Sequence, residues 1–183
     1  TGFARSLIEN RLKEFGFLDK IKIITIESDH DIKLKNFNLS FISTTHSIPE
    51  PHAILIKTKY GNLLHTADWK IDFNPTLGAQ IDQKKFEEIG NEGLLALIGD
   101  STNADVPGFS KSELEVRDEL IKIFSRYNKR IVITCFSSNI ERMESIFIAA
   151  KKNNRKVALV GRSMKKTIAA AIENDIVDKD ISF

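Results

Sequence analysis

Three short β-type runs between residues 41 and 66 constrain the fold of this chain more than any other feature. The runs span residues 41–45, 53–58 and 63–66. They are predicted strands because they are rich in β-branched and aromatic residues. His46 follows the first run, and Asp68 follows the third, which a predicted turn at Gly61–Asn62 precedes. Adjacent strands lie about 4.8 Å apart, so their ends can bring a histidine and a carboxylate together at a metal site. A polar loop histidine and a turn-capping aspartate fit the same spacing.

The composition of the 183 residues is that of an ordinary globular protein, with 42% hydrophobic and 28% charged residues. A net charge of +2 permits an RNA partner but does not indicate one. The single cysteine, Cys135, excludes an internal disulfide and favours a reducing compartment. We find no membrane-spanning run and no signal peptide, so a cytoplasmic protein is expected. The start at Thr1, without methionine, suggests a piece of a longer protein.

The first part of the chain, residues 1–112, is predicted to be mixed and partly antiparallel. An amphipathic helix is expected over residues 3–16, and a half-buried strand over 32–41 that is interrupted at Lys35 and Asn36. The polar segment Ser28–Asp31 before that strand is a predicted turn with a solvated His30. A helix over 82–90 and a strand over 94–98 complete this part.

The loop over residues 99–113 follows a predicted strand, which is where α/β proteins usually bind ligands. Asp100 lies at the carboxyl end of that strand and is either a site carboxylate or an ordinary turn residue. Ser110 with Glu113 has the form of a capping box and predicts a helix that continues to about Tyr127.

The last part, residues 113–183, alternates short apolar runs with helical patterns. Strands are predicted over 130–136 and 156–160, and helices over 140–153 and 164–172. This order indicates βαβ units around a parallel sheet. The loops after the two strands carry Ser138, Asn139, Arg162 and Ser163. Such residues at helix starts suit a phosphate, although helix capping accounts for them equally well.

Five segments, in this order, resemble the middle of ribonuclease J, in the β-CASP branch of the metallo-β-lactamase superfamily. They are TTHSIPE (44–50), HTADWKID (65–72), GDSTNADVPGFSKSE (99–113), CFSSNIER (135–142) and GRSM (161–164). The resemblance implies an α/β fold in which part of an αββα metallo-β-lactamase sandwich precedes part of a Rossmann-like β-CASP domain. It also implies a homo-oligomeric enzyme that degrades RNA both within the strand and from the 5′ end.

The same resemblance assigns roles to individual residues. His46 matches a zinc ligand, and Asp68 matches the carboxylate that bridges two zinc ions. Asp100 matches the acidic residue of the first β-CASP motif, near the catalytic centre. The phosphate of RNA is expected against Ser138 and Asn139, with Arg162 and Ser163 in the second loop.

Several departures from the family pattern limit what this chain is expected to do alone. The motif His-x-His-x-Asp-His and the later histidine motifs are absent, so only two expected zinc ligands remain. Ala67 replaces a glycine, and Glu141 replaces a histidine found in many relatives. We therefore expect weak zinc binding at most and no RNA cleavage unless missing N- and C-terminal segments complete the site. A non-catalytic RNA-binding remnant and a related hydrolase acting on a small ester remain alternatives.

Overall fold

The fold is α/β, as expected from the sequence. The structure is a computed structural model that describes residues 1–27 and 30–179. Its helices are α1 (Gly2–Glu14), α2 (Gln83–Glu92), α3 (Glu113–Ser125), α4 (Ile140–Lys152) and α5 (Arg162–Glu173), with a short 3-10 helix at Leu18–Lys20. Its strands are β1 (Asp31–Lys33), β2 (Phe37–Ser43), β3 (His52–Thr58), β4 (Gly61–His65) and β5 (Ala96–Ile98). All five predicted helices are confirmed, with small shifts at their ends.

The five strands form one sheet in the order β1-β2-β3-β4-β5. The first four strands are antiparallel neighbours, and β5 lies parallel to β4. Alternate residues of the central strands face a small core that Ile89 of α2 completes. The buried members of this core are Ile42, Ala53, Leu55, Leu64 and Ile89. The three predicted strands between 41 and 66 are thus confirmed as β2, β3 and β4.

The turn between β3 and β4 is not at Gly61–Asn62 as predicted. Gly61 already pairs with Thr58 in the ladder, so the two turn residues are Lys59 and Tyr60. The Thr58 hydroxyl closes this turn, because it accepts a hydrogen bond from the Tyr60 N–H at 3.1 Å and donates one to the Gly61 carbonyl at 2.9 Å.

The predicted single strand over residues 32–41 is instead a hairpin. The polar pair Lys35–Asn36 reverses the chain, and the Leu34 N–H donates to the Phe37 carbonyl at 2.9 Å. Residues on either side of the reversal pair antiparallel as β1 and β2. The two consecutive polar residues that were expected to interrupt one strand therefore form the turn between two strands. Of the predicted turn before this hairpin, Ser28 and Asp29 lie outside the described residues.

The other helices form a second layer around α4. Phe3 of α1 and Ile168 of α5 pack with Ile140, Met143 and Phe147 of α4 in one core. A further cluster joins α4 to Phe124 of α3. The first helix therefore packs on elements of the last part of the chain, although it precedes the sheet in sequence. The division at residue 112 remains a prediction.

Helices α3 and α4 lie side by side and run in the same direction. At their starts Glu113 pairs with Arg142, and one turn later Arg117 donates to Ser145 at 3.2 Å. At their ends the Asn153 amide donates to the Ile121 carbonyl at 3.2 Å. The two helix starts therefore lie together at one end of the pair, and the two helix ends lie together at the other.

The predicted strands over 130–136 and 156–160 are wrong for this structure. Neither segment forms a strand, and no backbone hydrogen bond joins them within the described part of the chain. Ile131, Val157 and Leu159 pack towards the helices, whereas Phe136 and Val160 are more than 80% exposed. A parallel strand needs a hydrogen-bonded neighbour and cover on both faces, and these segments have cover on one face only.

Candidate active site

A groove of about 1240 Å³ lies where the ends of the strands meet the starts of α3 and α4. One wall carries His46, Asp68 and Asp100, which follow β2, β4 and β5. The other wall carries Glu113, Asn139 and Arg142 from the two helix starts. Four of the residues singled out in the sequence, His46, Asp68, Asp100 and Asn139, thus lie on one surface. We call the side with His46, Asp68 and Asp100 the strand-end wall. The other side, formed by the starts of α3 and α4, is called the helix-end wall.

Thr66 holds the loops of Asp68 and Asp100 together. Because β4 and β5 are parallel, their carboxyl ends lie at the same edge of the sheet, and the Thr66 N–H donates to the Ile98 carbonyl at 3.0 Å. The buried Thr66 hydroxyl accepts from the Asp100 N–H at 3.1 Å and donates to the Ala67 carbonyl at 2.8 Å. One side chain therefore fixes the spacing of two loops that carry carboxylates.

Thr45 performs the same task for the His46 loop. Its carbonyl accepts from the Lys70 N–H at 2.7 Å. Its buried hydroxyl donates to the Lys70 carbonyl and accepts from the Asp72 N–H at 3.0 Å. The neighbouring Thr44 hydroxyl is also buried but has no hydrogen-bond partner among the described residues. The two adjacent hydroxyls therefore differ: that of Thr45 joins the loops on either side of the groove, whereas that of Thr44 has no partner among the described residues.

The side chains of the strand-end wall are less constrained than its backbone. Asp68 is exposed and makes no hydrogen bond within the part of the chain that the structure describes. His46 is half-buried, with its Nδ1 atom 3.2 Å from the Ser47 hydroxyl. Thr102 donates to Asp100 from its hydroxyl at 2.5 Å and from its N–H at 2.9 Å, and it is the main cause of the lowered pKa of Asp100. Asp100 is therefore an anion at neutral pH.

The helix-end wall is a buried network of charged groups. Asp72 accepts from the N–H groups of Asn74 at 2.9 Å and Glu113 at 2.8 Å. The carboxylate of Glu113 in turn binds the Arg142 guanidinium through two bonds, at 2.6 and 3.1 Å. Burial raises the pKa of Asp72, but these backbone donors, with Ser112 and Lys70, outweigh burial and leave that pKa below its usual value. Asp72, Glu113 and Arg142 of this wall therefore all have partners within the protein.

Helix α3 begins later than the capping box at Ser110 predicts. Its N-cap is Ser112, whose hydroxyl accepts from the Leu114 N–H at 3.1 Å and donates to the Asn74 carbonyl at 2.9 Å. Because Asp72 binds the N–H of Glu113, that residue becomes the first of the helix. A long-range contact thus selects between two nearby serines.

Glu141 is an anchor that connects α4 to the loop after Asp72. It is buried, and its Oε1 atom accepts from the N–H groups of Thr76 at 3.0 Å and Leu77 at 3.1 Å. Burial raises the pKa of Glu141 despite these donors. The same loop abuts the His46 loop at Gly78, where an added Cβ would lie 2.0 Å from the Pro49 carbonyl oxygen. Glu141 therefore stabilises the scaffold behind the groove.

The residues proposed to contact phosphate do not all reach the groove. Asn139 lines it, but its Oδ1 atom accepts from the Arg142 N–H at 2.9 Å and so caps α4. Ser138 is exposed and is not part of the lining. Arg162 lies on a separate shallow surface at the start of α5, and the Ser163 carbonyl accepts from the Thr167 hydroxyl. The helix-capping interpretation thus accounts for Asn139.

The backbone of Ala67 explains why a glycine is expected there. Its φ of +53° lies in the left-handed region, which glycine occupies without steric cost. The alanine methyl group is tolerated at this position, immediately before Asp68, at a cost in conformational energy.

The residues present do not make a complete zinc site. No group of three or more histidine, cysteine, aspartate or glutamate side chains suited to a metal occurs within residues 1–27 and 30–179. His46 and Asp68 are ligand types that zinc accepts, but a zinc site requires at least three protein ligands. No catalytic step through a metal is therefore assigned to this chain alone.

Sequence reasoning did not find the network of Asp72, Glu113 and Arg142. Asp72 and Glu113 are 41 residues apart, and no local pattern connects them. The sequence offers one signal, which is position: each of these charged residues is in or beside a motif segment.

Comparisons with known proteins agree with this architecture. Residues 128–181 match the family description "Ribonuclease J, beta-CASP domain". Ribonuclease J 1 of Streptococcus pyogenes is 40% identical over 170 residues, and a ribonuclease J of Sinorhizobium meliloti is 43% identical over 152. These alignments include 93% and 83% of this chain but only 30% and 27% of the relatives. The chain therefore spans less than a third of the length of these curated relatives.

A solved structure supports the fold alone. A protein of unknown function from Enterococcus faecalis superposes with a TM-score of 0.64 at 15% identity, and the match covers 94% of this chain and 42% of that one. Within the described ranges, no helix combines the length and apolarity needed to cross a membrane. Nearly the whole chain is thus related to one segment of ribonuclease J, with a partial metallo-β-lactamase and β-CASP architecture.

Proposed function

We propose that this chain is the central segment of a zinc-dependent ribonuclease J-type enzyme that degrades RNA within the strand and from the 5′ end. The observation that carries the proposal is the shared groove of His46, Asp68 and Asp100. The sequence similarity to ribonuclease J supports the substrate class, since those relatives are named as ribonucleases.

The strand-end wall is the part that would contribute to the metal centre. His46 offers an imidazole nitrogen, and Asp68 offers two carboxylate oxygens, a number sufficient to join two metal ions. Bound zinc ions would supply a nucleophilic hydroxide and charge stabilisation. Both side chains are at least partly exposed to the groove, so they are accessible to further ligands from outside this segment.

The helix-end wall is the part that would face the RNA backbone. Lys70, Lys111, Asn139 and Arg142 line it and offer N–H donors to phosphate oxygens. Contacts of this kind position a strand without reading its bases, and they weaken as salt increases. Ser138, Arg162 and Ser163 belong to this proposal only if the RNA extends beyond the groove.

A second candidate function is RNA binding without catalysis. The lack of a three-ligand group among the described residues favours it for the 183-residue chain on its own. We accordingly expect the purified chain to leave 5′-monophosphorylated RNA intact. Cleavage by the pure chain, abolished both by EDTA and by Asp68→Ala, would contradict this expectation.

A chimera tests the proposed function directly. This chain would replace the matching segment of Ribonuclease J 1 of Streptococcus pyogenes, with which it shares 40% identity. The expected result is a chimera that degrades 5′-monophosphorylated RNA with added zinc. His46→Ala and Asp68→Ala should each abolish that degradation.

The matched control is Asp105→Asn, which alters an exposed carboxylate of the 99–113 loop that does not line the groove. It should leave degradation unchanged. A folded chimera whose activity survives Asp68→Ala would overturn the assigned roles, and one that binds RNA but never cleaves it would favour the second candidate.

A further inference from the structure

A cluster of six basic residues lies at the ends of α3 and α4 that are remote from the groove. We call this cluster the basic edge, and it consists of Lys129, Arg130, Lys151, Lys152, Arg155 and Lys156. Arg155 donates from Nη1 to the Lys129 carbonyl at 2.9 Å, and this bond joins the segment after α4 to the segment after α3. Arg130, Arg155 and Lys156 also line one cavity of about 440 Å³.

No acidic side chain among the described residues neutralises the charge of the basic edge. None of its six residues belongs to an ion pair formed among the described residues, and all except the half-buried Arg155 are exposed. The only acidic residues between 126 and 156 are Glu141 and Glu144. Glu141 binds the loop behind the groove, and Glu144 pairs with Arg117. With a net charge of only +2 for the whole chain, positive charge is concentrated at this edge.

Helix capping accounts for part of the cluster but not for most of it. Lys151 and Lys152 are in the last turn of α4, where cations stabilise the carbonyl end of a helix. The other four residues lie beyond the helix ends. Each helix end carries roughly half a negative charge, so the two ends together leave most of the positive charge of the edge unbalanced.

An exposed aromatic ring adjoins the basic edge. Tyr127 follows the end of α3, is 59% exposed and precedes Lys129 by two residues. Exposed aromatic rings among unpaired cations are typical of surfaces that bind single-stranded nucleic acid, because bases stack on the ring while phosphates contact the cations. Cations alone would serve an acidic peptide equally well, and it is the tyrosine that favours RNA.

We propose that the basic edge, with Tyr127, is a second contact site for single-stranded RNA. This inference rests on the proposed function, in which the groove holds the same class of molecule. The two sites lie at opposite ends of α3, whose 13 residues span about 20 Å. A long RNA can reach both sites, whereas a very short one occupies a single site.

The test is fluorescence anisotropy of the 183-residue chain with labelled oligouridine, without metal, over a range of salt concentrations. The triple variant Lys129→Gln/Arg130→Gln/Lys156→Gln should weaken binding of long oligouridine and reduce the salt slope by about 2, because each phosphate contact to a single strand contributes about 0.7. Tyr127→Ala should weaken binding about tenfold with little change in the salt slope.

The matched control is Lys59→Gln/Tyr60→Ala, which removes a similar exposed pair at the turn between β3 and β4. It should leave binding unchanged, and thermal melts would verify that all variants fold. Basic-edge variants that bind as the unaltered chain does, while the groove variant Lys111→Gln weakens binding, would overturn the inference and leave the proposed function standing. An unaltered chain that binds no RNA at low salt would also overturn it, as would equal displacement by polyglutamate, which would indicate an acidic protein partner.

Discussion

The two walls of the groove are built in opposite ways. On the helix-end wall, the side chains of Asp72 and Glu113 are 2% and 4% exposed, and both carboxylates have partners. On the strand-end wall, Asp68 is exposed and bonds to nothing within the described residues. Hydrogen bonds of Thr45 and Thr66 place the loops of the strand-end wall, and the Asp68 side chain at its centre has no partner among the described residues. The difference shows that buried ion pairs hold the helix-end wall in place, whereas the strand-end wall presents a carboxylate that nothing among the described residues binds.

The largest expected effect is on the helix-end wall. Arg142→Met would leave the buried Glu113 carboxylate without its partner, and such a loss costs about 3–5 kcal/mol. Urea unfolding at neutral pH measures this free energy. Asp68→Ala is the control on the other wall and should change stability by less than about 0.5 kcal/mol.

The double variant Glu113→Leu/Arg142→Met sharpens the same comparison. Because it removes both charges, it should recover most of the stability that Arg142→Met loses. Equal losses from Arg142→Met and Asp68→Ala would show that the two walls do not differ in the way described.

A smaller effect is expected from the adjacent threonines before His46. Thr45→Val removes the hydroxyl that joins Lys70 to Asp72 and should cost about 1–3 kcal/mol of unfolding free energy. Thr44→Val removes a buried hydroxyl without a partner in the described ranges and should be neutral or stabilising. Thermal unfolding of both variants measures the contrast, and a greater loss for Thr44→Val would refute the role given to Thr45.

The strand-end wall should gain stability from Ala67→Gly. The left-handed backbone at this position favours glycine, so we expect an increase of up to about 1 kcal/mol. Ala169→Gly, at an exposed position of α5, is the control and should lose about 1 kcal/mol. If both changes destabilise the protein equally, Ala67 is not strained.

The smallest effect is a pH dependence at Glu141. Its raised pKa means that the folded chain holds this proton more tightly, so the carboxylate destabilises the fold increasingly as pH rises above its usual value of 4.5. Glu141→Gln keeps an oxygen acceptor for Thr76 and Leu77 but carries no charge. The stability advantage of the variant should therefore grow as pH rises above 4.5 and level off once pH exceeds the raised pKa of Glu141, as followed by urea unfolding. If the difference in unfolding free energy between the variant and the unaltered chain narrows as pH rises, the direction given for the pKa of Glu141 is wrong.

Local sequence patterns were sufficient for much of this molecule. Hydrophobic periodicity predicts all five helices, and the β-type runs predict β2, β3 and β4 together with the loops of His46 and Asp68. These features depend on residues close in sequence, whose contacts repeat with a fixed period. The loops of Asp68 and Asp100 lie together because the parallel strands β4 and β5 end at the same edge of the sheet.

The remaining features depend on distant contacts. The start of α3 at Glu113 is set by Asp72, and the anchor at Glu141 binds residues 65 and 64 positions away. Strand propensity at 130–136 and 156–160 did not produce strands, because propensity cannot supply a hydrogen-bonded neighbour. Distant partners and missing neighbours are both invisible to a local pattern.

A zinc titration of the purified 183-residue chain by calorimetry tests the central claim most directly. The claim is that the chain contributes ligands to a metal centre that it does not complete. We predict no saturable zinc binding, and heats that are the same for the unaltered chain, His46→Ala and Asp68→Ala. Saturable binding of at least one zinc per chain, lost in both variants, would contradict the claim.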